Sequence, residues 1–347
     1  MKKTIFVNLF LTTAFLASTL LFCNSQSQSK FEIIGKTQGL KDSTLLYLFD
    51  PENEKFIDST FVLSDSFYFR GSVGGLSMYM IQTKFTEDPK SMNYKILWID
   101  NSKIYFEGKA GDFRNSKIIG HEIQQQFDEL VQLTNNKKHS ERQVIEQEFI
   151  KEHPNYLYSA FLLSFYTTTY GKDKTKELFD LLDPKLKKTA YGKKIQSYLK
   201  LNQKFEIGNK IAEIKLNDLK GESRSLLSLK GKHVLLEFWS SSCGACKFEN
   251  PNLRKVYNQY KNKGFEIFAV TLDKNKKKWQ NAVEADSINW ITVSDLKGEN
   301  GEAVLTYGIN GTPANYLIDK NGIILAKDLR GEDLRKKMEE IFDIKKK

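Results

Sequence analysis

The run Glu237-Phe238-Trp239-Ser240-Ser241-Ser242-Cys243-Gly244-Ala245-Cys246 constrains the fold more than any other part of the chain. His233–Trp239 is an apolar run that predicts a buried strand. From Cys246 to Lys261 the pattern predicts an amphipathic helix with Phe248, Leu253, Val256 and Tyr260 on one side. Two cysteines with two residues between them, at the junction of strand and helix, make a dithiol that closes without moving the backbone. Cys243 falls at the helix N-terminus, where unpaired amides and the helix dipole favour a thiolate. Cys246 lies one turn deeper, in the position of a resolving thiol. Three uses of such a pair compete. A metal site needs two more ligands, and neither His233 nor any residue after it stands at suitable spacing. A purely structural disulfide over so short a loop gains little closure entropy. The redox-active reading is the one the residues favour.

Around this segment, from about residue 206 to 347, strands alternate with helices. Phe265–Leu272 and Trp290–Val293 read as strands, and Lys276–Asp286 as a helix. Tyr316–Ile318 and Ile323–Ala326 read as a hairpin across Asp319-Lys320-Asn321-Gly322, and Leu334–Ile344 as a closing helix. Such alternation predicts a mostly parallel sheet covered on both faces, an α/β domain.

With Phe238–Cys246 as F-W-x-x-x-C-x-x-C, the strand before it and Gly311-Thr312-Pro313 downstream, this region resembles the thioredoxin superfamily. It is most similar to the envelope thiol–disulfide oxidoreductases of the TlpA and ResA type. The resemblance implies a thioredoxin fold and a redox-active Cys243–Cys246 disulfide. It implies that Pro313 is the family's cis-proline, with Thr312 beside it offering backbone groups to an extended substrate. It also implies roles for two acids. Glu237 occupies the buried strand position where many thioredoxins carry an acid that exchanges a proton with the resolving thiol. Glu249, one turn after Cys246, matches an active-site glutamate of the ResA group. A carboxyl buried near thiols is expected to have a raised pKa. The separation of Cys243 from Pro313 exceeds that of compact thioredoxins and leaves room for an extra strand-helix unit. Ser242 replaces the Trp usual before the first Cys, and Ala245 replaces the usual Pro. No cofactor and no metal are implied.

Residues 30–118 read as a β-rich, sandwich-like domain, with strand-like runs between turn residues recurring every eight to twelve positions. The runs are Phe31–Ile34, Thr44–Phe49, Lys55–Val62, Ser66–Val73, Met78–Phe85, Tyr94–Ile99 and Lys103–Gly108. No cluster of His, Cys or paired acids stands there. Residues 119–203 turn helical: Ile123, Phe127, Leu130 and Val131 follow a 3.6 period, and a second helix ends at His153-Pro154. The aromatic stretch Tyr156–Tyr170 suits core packing better than a ligand groove. His121, His139 and His153 lack ligand spacing and read as surface or capping residues. The fold class is therefore multidomain: an N-terminal all-β sandwich-like domain, a helical linker region and a C-terminal α/β thioredoxin fold.

Lys2 and Lys3 precede the apolar run Ile5–Phe22, so residues 1–22 read as a secretory signal. Leu20 stands three before Cys23, as in a bacterial lipoprotein signal, and Cys23 is the expected lipidation site, although Phe22 departs from the small residue usual there. Cleavage near Ser25 and retention as an N-terminal anchor are the alternatives. Each places the remainder outside the cytoplasm, in the envelope on the periplasmic side. The net charge of +10 comes from scattered lysines rather than from one basic face with stacking aromatics, so nucleic acid is not an expected partner. The expected activity is reduction of disulfides in other envelope proteins, with a membrane electron donor recharging the dithiol. A peroxiredoxin-like peroxidase and a non-catalytic binding protein presenting the β-rich domain are the alternatives. The first wants a Thr-x-x-Cys context, of which Ser240 is a partial match. Replacing Cys23 by Ala should release the chain from the membrane fraction; a variant that stays on membranes would point to the uncleaved anchor.

Overall fold

The computed structural model describes residues 30–53, 55–83 and 93–343. The signal segment 1–22, Cys23, the expected strand end at Phe85 and the expected helix end at Ile344 lie outside them. Eight strands come first: β1 (Phe31–Gln38), β2 (Leu45–Asp50), β3 (Lys55–Phe61), β4 (Ser66–Gly71), β5 (Ser77–Gln82), β6 (Tyr94–Ile99), β7 (Lys103–Lys109) and β8 (Lys117–Ile119). They form two four-stranded sheets in the orders β4-β1-β7-β8 and β3-β2-β5-β6. Alternation is the cause: Phe31 and Ile33 of β1, Leu46 and Leu48 of β2, and Phe67 and Phe69 of β4 point into one apolar core. The three-residue β8 has no periodicity of its own; pairing with β7 makes it a strand.

The helices are α1 (Glu122–Thr134), α2 (His139–Glu152), α3 (Leu157–Leu181), α4 (Pro184–Lys187) and α5 (Ala190–Leu201). His121 caps α1, its Nδ1 accepting from the Ile123 amide at 3.2 Å. The aromatic stretch is divided in use. Tyr158, Leu162 and Leu163 are buried, whereas Phe165 stays exposed. Gly171, at φ 75°, kinks α3. The helices form one compact unit with the C-terminal sheet, separate from the sandwich. Among the described residues no helix is long and apolar enough to cross a membrane.

The C-terminal part runs β9 (Lys215–Asp218), β10 (Ser223–Ser225), β11 (His233–Trp239), α6 (Gly244–Tyr260), β12 (Phe265–Thr271), α7 (Lys276–Ala285), β13 (Ile291–Ser294), α8 (Glu302–Tyr307), β14 (Ala314–Ile318), β15 (Ile324–Lys327) and α9 (Gly331–Phe342). The seven strands order as β10-β9-β13-β12-β11-β14-β15. β11 runs parallel to β12 and antiparallel to β14, which makes it central and explains its unbroken apolar character. Two strand-helix units, β12-α7 and β13-α8, separate the dithiol helix from Pro313, so the long spacing holds one unit beyond the compact form. One helix face departs from expectation. Leu253, Val256 and Tyr260 of α6 are buried, but Phe248 is 88% exposed, because it points away from the sheet just past the dithiol.

Asn202 joins the helices to the sheet. Its side-chain Nδ2 donates to the Leu305 carbonyl at 3.1 Å, and its own carbonyl accepts from Lys172 Nζ at 2.7 Å. Gly308, at φ +65°, makes room for it, since a Cβ there would meet the Asn202 amide at 2.7 Å. Next to it Phe205 stacks on Tyr307 at 4.3 Å. Replacing Asn202 by Ala should lower the unfolding free energy by about 1 kcal/mol, read from urea titrations; an unchanged midpoint would show that this junction carries no stability.

Candidate active site

The site begins with a strand that has nowhere to go. β11 is buried on both faces through Trp239, and the chain then turns through Ser240–Ser242 into α6. Asp273, at the end of the neighbouring β12, holds that turn. Its carboxylate accepts the Ser241 amide at 3.0 Å, the Ser241 hydroxyl at 2.6 Å and the Thr271 hydroxyl at 2.6 Å. Buried as it is, Asp273 is satisfied by three donors.

Cys243 is the residue that caps α6, in extended backbone at φ −78° and ψ 102°. Its Sγ accepts the Cys246 amide at 3.1 Å, where an Asn or Ser cap would place an oxygen. The two cysteines are joined as a disulfide, with Cα atoms 5.3 Å apart. Cys243 is half-buried at the surface, and Cys246 is 2% exposed beneath it. That asymmetry permits attack from outside at one sulfur only.

Glu237 sits in β11, opposite Asn315 of β14 and Ala269 of β12. Burial pushes its carboxyl up from the usual 4.5 to about 8, against a hydrogen bond from the Asn315 side chain and the positive charge of Arg330. Its Oε2 makes no hydrogen bond with any described residue. Glu249 is buried too, and not a solvated helix residue, but its surroundings differ. Its Oε1 accepts from Asn252 Nδ2 at 2.6 Å and from the Gly331 amide, the first of α9, at 2.9 Å. Two acids thus have opposite situations, one short of donors and one supplied with them.

The Thr312–Pro313 bond is cis, and both residues line a groove of about 580 Å³ that runs past Asn310 to Lys327 and Arg330. Asp273, Asn315 and Arg330 are site residues that the sequence did not disclose. Each lies many residues from the cysteines in the chain, and no local spacing marks them. Among the described residues no group of His, Cys, Asp and Glu could hold a metal ion.

Comparison with known proteins bears on this geometry. Over 145 residues the chain is 33% identical to the thiol-disulfide oxidoreductase ResA of Bacillus cereus, covering 42% of this chain and 82% of that protein. It belongs to the ResA-like thiol-disulfide oxidoreductases. The ResA protein of Bacillus anthracis is 32% identical over 144 residues, 42% of this chain and 81% of that one. Residues 207–327 match the AhpC/TSA family, and residues 31–127 match a domain of unknown function, DUF4369. Among solved structures, the thioredoxin domain of a thiol-disulfide oxidoreductase from Bacteroides vulgatus is 40% identical, covering 40% of this chain and 99% of that one with a TM-score of 0.38. The ResA-like assignment makes the chain an enzyme of thiol-disulfide exchange with a thioredoxin fold at its C-terminal end.

Glu237 gives this ResA-like chain a measurable pH signature. The folded state keeps its proton up to about pH 8, whereas the unfolded chain loses it near 4.5. Between those values the folded state binds more protons, so this contribution to stability is complete below the lower value and is lost as pH rises through the upper one. Glu237→Gln should therefore stabilise the oxidised chain relative to the parent, by a margin that grows between pH 5 and pH 8 to on the order of a few kcal/mol. Urea titrations at the two pH values decide it, and an equal difference at both would remove the buried-proton account.

Proposed function

We propose that the chain reduces disulfides of other proteins outside the cytoplasm, and the observation that carries this is the unequal burial of Cys243 and Cys246. In the reduced enzyme the Cys243 thiolate, favoured by the amides and dipole of α6, attacks a substrate disulfide. One substrate sulfur leaves as a thiolate and a mixed disulfide forms on Cys243. Cys246 then gives up its proton, attacks the Cys243 sulfur and releases the second substrate thiol, leaving the enzyme oxidised. Glu237, in its ionised form, takes the Cys246 proton. Thr312 and Pro313 present backbone to an extended substrate lying in the groove. Glu249, committed to the start of α9, serves the framework.

The N-terminal residues support attachment to the membrane by a lipid on Cys23 or by an uncleaved anchor, and with it an envelope location on the periplasmic side. A membrane electron donor then returns two electrons to the disulfide. The sandwich contributes a structural or partner-binding module. Against a peroxidase stands the Ser240 hydroxyl, which lies 3.3 Å from the Ser242 hydroxyl and so has a partner other than the Cys243 sulfur.

Two variants test the scheme. Cys246→Ser should trap mixed disulfides with substrate proteins, and Cys243→Ser should trap none; equal capture by both would sink the division of roles. In stopped-flow exchange with a model disulfide, Glu237→Gln should slow resolution by about tenfold or more while first attack by Cys243 stays nearly unchanged.

A further inference from the structure

We propose that Lys247, Lys276 and Lys277 form a basic docking surface beside the dithiol, which selects substrate segments carrying acidic side chains next to the disulfide-bonded cysteine. The proposal rests on the reading that the chain reduces disulfides of other proteins, and it names the class of protein segment preferred.

The placement follows from two neighbouring helices. β11, β12 and β13 run parallel, so α6 and α7, which connect them, cross the sheet in the same direction and start at the same end. Leu253 and Val256 of α6 and Trp279 of α7 enter one apolar cluster, which puts both helices on one face. They touch at the far end of α7, where Asn250 Nδ2 donates to Asp286 Oδ2 at 2.7 Å and Arg254 Nη2 donates to the Asp286 carbonyl at 2.6 Å. From that contact Cys243 lies seven residues before Asn250 and Lys276 ten before Asp286, about 10 and 15 Å of helix rise. The dithiol and the first turn of α7 therefore open on one edge, a helix spacing of about 10 Å apart. That edge is tied a second time: Asp273, three residues before Lys276, accepts at 2.6 Å from the hydroxyl of Ser241, two residues before Cys243.

Lys247, Asn250 and Arg254 follow i, i+3 and i+7, so Lys247 lies on the stripe of α6 that faces α7, one turn nearer the dithiol than the contact. It is exposed, as are Lys276 and Lys277 in the first turn of α7. Along their own helices, the positions three and four residues beyond each lysine hold no carboxylate. Asp273 is buried under the Ser241 turn, and Glu249 is turned to the Gly331 amide. Among the described residues none of the three lysines makes an ion pair. Neither helix has an acid in its first turn, where the dipole favours acids and disfavours lysine. Local rules broken in this way concentrate at functional sites. The positive ends of two helices and three unpaired ammonium groups thus add up next to Cys243.

The occupant follows from what lies on the other side. β12 and β14 flank β11, so the lysines and the groove at Thr312 and Pro313 stand on opposite sides of the dithiol. A segment whose cysteine bonds Cys243 and whose backbone lies at Pro313 continues across the first turns of α6 and α7. Carboxylates within a few residues of that cysteine reach the lysines, since extended chain covers about 3.3 Å per residue. Water screens each exposed pair, so the attraction acts on encounter and orientation more than on bound lifetime. Lysine suits this use because its flexible stem follows substrates of differing sequence.

The test uses the reduced full chain, as parent and as the triple variant Lys247→Glu/Lys276→Glu/Lys277→Glu. Three short peptides serve as substrates, differing only in whether Glu, Gln or Lys flanks a single cysteine, each disulfide-linked to a second copy of itself. Stopped-flow gives the second-order rate constant for each, divided by that peptide's rate with dithiothreitol to remove its own reactivity. At low ionic strength the parent should favour the Glu peptide over the Gln peptide by about threefold or more. That preference should fade as ionic strength rises to about 0.5 M, and the triple variant should invert the order to favour the Lys peptide. A circular dichroism spectrum establishes that the variant is folded. A parent indifferent to the flanking residues overturns the proposal alone. Rate constants that fall by one common factor on all three peptides in the variant overturn it as well, by placing the effect in the Cys243 thiolate and not in recognition. A parent that reduces a small neutral disulfide but none of the peptides overturns both this proposal and the protein-disulfide reading on which it rests.

Discussion

The Cys243 sulfur stands where a helix cap normally places an oxygen, and most of the C-terminal architecture is arranged around that substitution. A cap must lie outside the helix in extended backbone while facing the first amides. Cys243 meets both conditions because β11 delivers it there, at the end of a strand held on each side by β12 and β14. The same geometry puts Cys246 one turn inward, 2% exposed, so one sulfur faces solvent and the other faces the core. The turn between strand and helix closes with the Cys243 amide donating to the Ser240 carbonyl at 3.1 Å, and Asp273 holds it through Ser241.

Two carboxyl groups of the same chemistry are put to different uses by their donors. Glu249 receives an amide and a side-chain N–H, and its bond to Gly331 ties α6 to the start of α9. Glu237 receives far less, and burial dominates its titration. Between them runs the short segment from Asp328 to Gly331, which touches Asn315, Pro313 and Glu249 in succession. The cis-proline loop, the strand acid and the helix acid therefore share one support.

Much of the fold was legible because it is written in period and burial. The alternation of Phe31, Ile33, Leu46, Leu48, Phe67 and Phe69 describes two sheets facing one core, and the apolar run before Cys243 describes a central strand. Short elements escaped. β8, β9 and β10 are three or four residues long and owe their strand character to pairing, and α8 is a six-residue helix packed at the Asn202 junction. Phe248 misled for a related reason. It satisfies the helical period of α6 but lies at the helix start, beyond the sheet that buries Leu253 and Val256, so the apolar face begins later than the apolar residues do.

By itself the sequence determined the strand, the two cysteines and the helix after them, since all three are local patterns, and the resemblance they carry marked Pro313 downstream. The resemblance also marked Glu237 and Glu249 as acids near the dithiol, one on the strand and one on the helix. How each acid is satisfied was decided only in three dimensions, because Glu237 meets Asn315 and Glu249 meets the Gly331 amide, both remote in the chain. The placement of Asp273 under the Ser241 turn was decided there too. A charge acts through distance and dielectric, and neither exists until the strands that carry Asn315 and Glu237 are side by side.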